Sequence, residues 1–66
     1  MMVKIGDLVE IQRIGILIPK GTIALVMDLF APTVNRPKPI ASVLPLGNTK
    51  RYQYLPSDLK VISTSY

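Results

Sequence analysis

Alternating apolar and polar positions mark the first strand of the chain. Over Asp7–Arg13, Val9 and Ile11 fall on one face, and the other face carries Leu8, Glu10 and Gln12. Successive side chains of a strand point to opposite sides, so this period of two predicts a half-buried strand. Val9 and Ile11 are therefore expected in the core.

The second strand, Thr22–Phe30, is apolar on both faces. One face carries Ile23, Leu25, Met27 and Leu29, and the other carries Ala24, Val26, Asp28 and Phe30. A strand with two apolar faces is either strongly bent, as in a tight barrel, or covered on its second face by another segment. The sequence leaves both explanations open.

A hairpin is predicted over Ile40–Leu46 and Thr49–Leu55, which are joined through Gly47 and Asn48, a pair suited to positive φ. Any loop of even length places alternate residues of the two strands on a common face. We expect that face to fill the core and the tyrosine rings to be largely buried. Its residues are Ala41, Val43, Pro45, Tyr52 and Tyr54.

Two further segments complete the chain. Three prolines in Ala31–Pro39 predict a stiff, extended loop. Pro56 ends the hairpin and predicts one helical turn, capped by Ser57 or Asp58, after which Leu59 returns to the core. A last short strand, Lys60–Ile62, follows and contributes Val61 to the core. Residues 63–66 are expected to be a frayed polar tail.

This order of elements predicts an all-β protein: a five-stranded, partly open SH3-like barrel with one 3-10 turn before the last strand. Sixty-six residues form one domain, 1–66, near the lower limit for a self-supporting core. No apolar run is long enough to span a membrane and no signal-peptide pattern precedes Gly6. We therefore expect a cytoplasmic protein with no membrane contact.

The chemistry of the chain argues against catalysis. It contains no histidine and no cysteine, which removes the usual general base, the strongest nucleophile and Cys/His zinc sites. Asp7 and Asp58 are expected to cap turns, and Glu10 lies on a polar face. Asp28 is left with three roles: solvent exposure, pairing with a lysine, or function. We expect no enzyme activity, no cofactor, no metal and no small-molecule substrate.

Apolar residues exceed what so small a core holds, since 48% of the chain is hydrophobic. This excess predicts a contact surface for a protein partner or for self-association. Alternatively, the Ile14–Ile18 segment folds over an open end of the barrel. Six residues lack an obvious interior place, and four of them, Ile16, Leu17, Leu44 and Leu46, are the candidate partner contacts; the other two are Ile14 and Ile18.

The net charge of +4 allows a second interpretation. Lys50, Arg51, Tyr52 and Tyr54 combine cations with rings, as in small barrels that bind single strands. Candidate nucleic-acid contacts are Lys50, Arg51, Arg36 and Lys38. Against this, scattered basic residues are usually a solvated surface, and the tyrosines share the core face.

The stretches Gly6–Val9, Gly21–Val26 and Gly47–Ile62 resemble small uncharacterised SH3-like proteins of tailed phages, particularly marine ones. The resemblance covers most of the chain apart from Ala31–Pro39. It implies the barrel fold and a phage-encoded protein acting in the host cytoplasm. It implies no catalytic or binding residues. The same barrel serves nucleic-acid-binding KOW and Tudor domains as well as adaptor domains, so both functional interpretations stay open.

Overall fold

Five antiparallel strands form one open sheet in the computed structural model, which describes residues 3–64. The strands follow the spatial order β4-β3-β2-β1-β5, so β4 and β5 form the two edges and the barrel is not closed. This confirms the all-β, partly open fold with a 3-10 turn before the last strand. The elements are β1 Leu8–Ile11, β2 Ile23–Phe30, β3 Ile40–Pro45, β4 Tyr52–Tyr54, the 3-10 turn Pro56–Asp58 and β5 Leu59–Ser63.

The core lies on the inner face of this sheet. Val9 and Ile11 of β1 are fully buried, as their alternation predicted, and Leu59 of β5 joins them. Val61 is only partly buried against the same cluster. Burying each branched side chain stabilises the fold by about 1.5–3 kcal/mol. The other buried apolar residues are Val3, Ile18, Ala24, Val26, Ala41 and Val43.

A β-bulge at Met27 changes the facing of the residues along β2. Val26 pairs with Val43 and Leu29 pairs with Ala41, so two residues of β2 lie opposite the single residue Ser42. A bulge bends its strand and reverses the facing of the residues beyond it. The predicted strict alternation along β2 is therefore wrong after Val26.

The outer face carries a row of leucines that crosses three strands. Leu25 pairs with Leu8 on one side and with Leu44 on the other. All three side chains are partly buried. We call Leu8, Leu25 and Leu44 the leucine row.

The β3–β4 hairpin has the predicted facing. Ala41 pairs with Tyr54 and Val43 with Tyr52, which places both rings on the inner face. Both tyrosines pack against the core cluster, as predicted, although neither is fully buried. β4 is shorter than predicted and spans only Tyr52–Tyr54.

Two turns depend on residues that the sequence singled out. Asp7 holds the opening turn, because its Oδ2 accepts a hydrogen bond from the Lys4 amide at 2.9 Å. At the hairpin, the Asn48 amide donates to the Pro45 carbonyl at 3.0 Å, and Gly47 has φ +83°. Asn48 does not share this positive φ.

Three local predictions need correction. The 3-10 turn has no side-chain cap, so the predicted capping by Ser57 or Asp58 is wrong. The Asp58 carboxylate instead lies 3.7 Å from Arg13 Nη1. The Ala31–Pro39 loop is not simply extended, because Thr33 and Arg36 exchange backbone hydrogen bonds of 2.7 and 3.2 Å across a turn. Ser63 is not frayed, since it ends β5 and pairs with Leu8. Ser65 and Tyr66 lie outside the described residues.

Candidate functional site

Backbone hydrogen bonds hold the loop between β1 and β2, residues 12–22, at its base and against the 3-10 turn. The Gly21 amide donates to the Ile11 carbonyl at 2.7 Å, and the Ile11 amide donates to the Thr22 carbonyl at 2.9 Å, which closes the base of the loop. The Gln12 amide donates to the Asp58 carbonyl at 2.8 Å and ties the loop to the 3-10 turn. The loop therefore holds a defined position beside β4 and the turn that follows it.

The apolar residues of this loop divide between the core and the solvent. Ile18 is 5% exposed and belongs to the core. Ile14 and Leu17 are 83% and 76% exposed, and Ile16 is fully exposed. The expectation that Ile18 lacks an interior place is wrong. The segment thus buries one residue over the barrel and presents three outward.

A groove of about 410 Å³ lies between this segment and the hairpin. Residues 13–18 form one wall, and Tyr52 and Tyr54 form the other. Gly15 allows the tight fold of the first wall, because a Cβ at this position would lie 3.1 Å from the Ile18 carbonyl oxygen. We call this feature the tyrosine groove.

Charges flank the tyrosine groove. Lys50 Nζ lies 5.4 Å from the centroid of the Tyr52 ring, within the range of a cation–π interaction. Arg13 lies in the first wall and pairs with Asp58. Burial raises the pKa of the Tyr54 hydroxyl above its usual value, and the nearby Tyr52 and Asp58 act in the same direction while Arg13 opposes them. Tyr54 is therefore neutral at physiological pH.

The four candidate partner contacts fall in two places. Ile16 and Leu17 line the tyrosine groove. Leu44 lies on the outer face in the leucine row, and Leu46, 61% exposed, lies in the hairpin turn. Sequence reasoning missed that Ile16 and Leu17 line the same groove as the two tyrosines, because it assigned those rings to the interior.

The four candidate nucleic-acid contacts lie on two separate loops. Lys50 and Arg51 precede β4, and Arg51 is paired with Asp28 at 3.1 Å. Asp28 therefore pairs with an arginine, where a lysine was one expectation. Arg36 donates to the Ala31 carbonyl at 2.9 Å and so serves its own loop, whereas Lys38 is exposed.

Residues 3–64 contain no metal-ligand cluster, no unsatisfied buried side-chain polar atom and no membrane-spanning helix. No group of three or more His, Cys, Asp or Glu side chains is arranged to hold a metal ion there. Every buried side-chain nitrogen or oxygen in that range has a hydrogen-bond partner. The same residues include no helix long and apolar enough to cross a membrane. The arrangement at the groove is suited to burying apolar groups beside cations.

Comparison of the chain with protein-family models, curated proteins and solved structures finds no match.

Proposed function

We propose that this protein is a non-enzymatic binding module that contacts a partner protein through the tyrosine groove. The observation that carries the proposal is the exposure of Ile16 and Leu17 on a loop that is otherwise hydrogen-bonded and anchored by Ile18. Apolar side chains held out of the core on a fixed loop cost stability in water and gain it when a partner covers them.

The absence of catalytic groups supports the non-enzymatic part of this proposal. The chain has neither histidine nor cysteine, and Asp28 and Asp58 are each engaged by an arginine. We place the protein in the cytoplasm, and in the host cytoplasm if it is phage-encoded; the phage resemblance stays a prediction.

Selection from a displayed random-peptide library tests the groove. The wild type should enrich peptides that the double variant Ile16→Asp/Leu17→Asp fails to retain. Because both residues are exposed, the variant should keep its circular dichroism spectrum. Val34→Asp is the matched control, since Val34 is fully exposed on the loop between β2 and β3 and lies outside the groove. Equal retention by the double variant would contradict the proposal, as would failure to enrich any peptide.

A basic nucleic-acid-binding barrel is the second candidate function, supported by Lys50 above the Tyr52 ring. Rings and cations together hold single strands by stacking and by phosphate contacts. This candidate predicts that the protein binds a short single-stranded oligonucleotide at roughly 50 mM salt, where electrostatic attraction is strong. Lys50→Glu with Arg51→Glu should abolish the binding and Lys60→Glu should not. No binding by the wild type would retire the candidate.

A further inference from the structure

The tyrosine groove lies beside an open edge of the sheet. β4 pairs with β3 on one side, and no other strand among residues 3–64 pairs with its second side. Apart from the strand ladder, no backbone hydrogen bond in that range involves residues 50–54. In an antiparallel pair, alternate residues direct their N–H and C=O groups away from the partner strand. β4 therefore offers backbone groups to an added extended segment.

The facing of β4 places such a segment against the groove. Tyr52 and Tyr54 point to the inner face, where they form one wall, and Gln53 points to the outer face. A segment paired with β4 would follow the same alternation, so every second side chain would project toward the groove side. Its walls, residues 14–17 and the two rings, present apolar surface to aliphatic side chains.

The charges favour an acidic ligand. The carboxylates of the chain already have partners: Asp7 holds the opening turn, Glu10 accepts from Gln12, and Asp28 and Asp58 pair with arginines. Lys50 forms no ion pair within residues 3–64, and the net charge is +4. Two copies of this chain would repel each other, so a second copy is a poor occupant. A partner with negative charge is attracted.

We propose that the tyrosine groove and the edge of β4 bind an extended segment of a partner protein in which alternate residues are apolar and the residues at the two ends are acidic. The alternate apolar side chains enter between residues 14–17 and the tyrosines. The acidic end residues meet Lys50 near Tyr52 and Arg13 near Tyr54. This inference rests on the proposed function and names the class of partner for the same groove.

Two blocked synthetic peptides of ten residues test it. Both have a central stretch in which leucine alternates with threonine, and the two residues at each end are glutamate in one peptide and lysine in the other. Each is titrated into isotope-labelled protein and followed by backbone amide chemical shifts. The glutamate peptide should shift the amides of residues 14–17 and Tyr52–Tyr54 and should slow hydrogen exchange in β4. The lysine peptide should bind at least about tenfold more weakly, because its charges oppose those of the groove.

Charge reversals supply the matched variants. Lys50→Glu should weaken binding of the glutamate peptide by about tenfold or more, whereas Lys60→Glu, an exposed lysine on β5, should change it by less than about twofold. If both peptides bind the groove equally, the acidic preference is wrong while the proposed function stands. Shifts without slowed exchange in β4 would overturn the edge pairing. If neither peptide shifts the groove amides, the partner class is wrong, and the library selection separately decides the proposed function.

Discussion

Asp28 and Arg51 form an ion pair of 3.1 Å that spans β3, because Asp28 lies on β2 and Arg51 directly precedes β4. Both side chains are about half exposed. The pair thus supports the start of the short edge strand on the outer face and occupies one of the cations considered for nucleic-acid contact.

Replacing Asp28 tests what this pair contributes. Asp28→Asn should lower the free energy of unfolding by less than about 1 kcal/mol, since exposed ion pairs contribute little. The difference from wild type should shrink further in high salt, where the attraction is screened. Urea unfolding at low and high salt measures both effects. A loss of several kcal/mol would show that the pair is more than a surface contact.

Substitution of Gly47 should destabilise the fold because of its positive φ angle and not because of steric contacts around it. Its φ is +83°, and a Cβ added there would meet nothing within 4 Å. Gly47→Val should therefore cost on the order of 1 kcal/mol or more, and Gly47→Asn should cost less, because asparagine tolerates positive φ better than branched residues. Thermal unfolding of both variants compares the costs. Equal costs would contradict the conformational explanation.

Truncation of Ile18 should destabilise the fold far more than truncation of Ile16, although the two residues lie only two positions apart. Ile18→Ala leaves a cavity in the core and should cost about 2–5 kcal/mol, enough to unfold much of so small a domain. Ile16→Ala removes a fully exposed side chain and should change stability by less than about 0.5 kcal/mol. Denaturant unfolding measures both. A large loss for Ile16→Ala would mean that the groove wall is structural.

The raised pKa of Tyr54 predicts a loss of stability at alkaline pH. Burial favours the neutral hydroxyl in the folded state, so the unfolded chain releases this proton at lower pH than the folded chain does. Stability should therefore fall as the pH rises from the unfolded pKa, about 10, toward the higher folded value. Tyr54→Phe should reduce the fall in melting temperature between about pH 8 and pH 11. An unchanged fall would contradict the assignment.

The leucine row is the basis of a separate prediction, which is self-association of the protein. If copies meet through this outer face, light scattering at micromolar concentration should give a mass above 7.3 kDa. Leu44→Glu should dissociate the assembly, whereas Val34→Glu on an exposed loop should leave it intact. A clean monomer for the wild type would retire the prediction. The positive net charge opposes assembly and should make it weaker at low salt.

Local patterns predicted the strands and the facing of the hairpin because those depend on neighbours in sequence. The alternation of Val9 and Ile11 and the parity between Val43 and Tyr52 required no knowledge of distant residues. The bulge at Met27 could not be predicted from the local sequence, because it depends on the register of β2 against β3. The signal was present in the two apolar faces of β2, but a covered strand would have given the same pattern.

The site was harder to predict for the same physical reason. Asp58 resembles a turn cap in its local sequence, yet its partner Arg13 lies 45 positions earlier and was not identified from the sequence. The tyrosine groove joins the loop after β1 to β4, two segments far apart in the chain. Ile16 and Leu17 were recognised as surplus to the core, but the rings facing them were taken for interior residues.

The anchoring of the β1–β2 loop by Ile18 separates the residue that the core needs from the residues that the loop exposes. Ile18 is part of the core and Gly15 relieves a close approach to its carbonyl, but Ile14, Ile16 and Leu17 are exposed and do not pack in the interior. Under the proposed function, substitutions at those three positions would change the choice of partner while leaving the core intact. The same three exposed positions are therefore the place to introduce side-chain diversity when new binding is to be engineered on this fold.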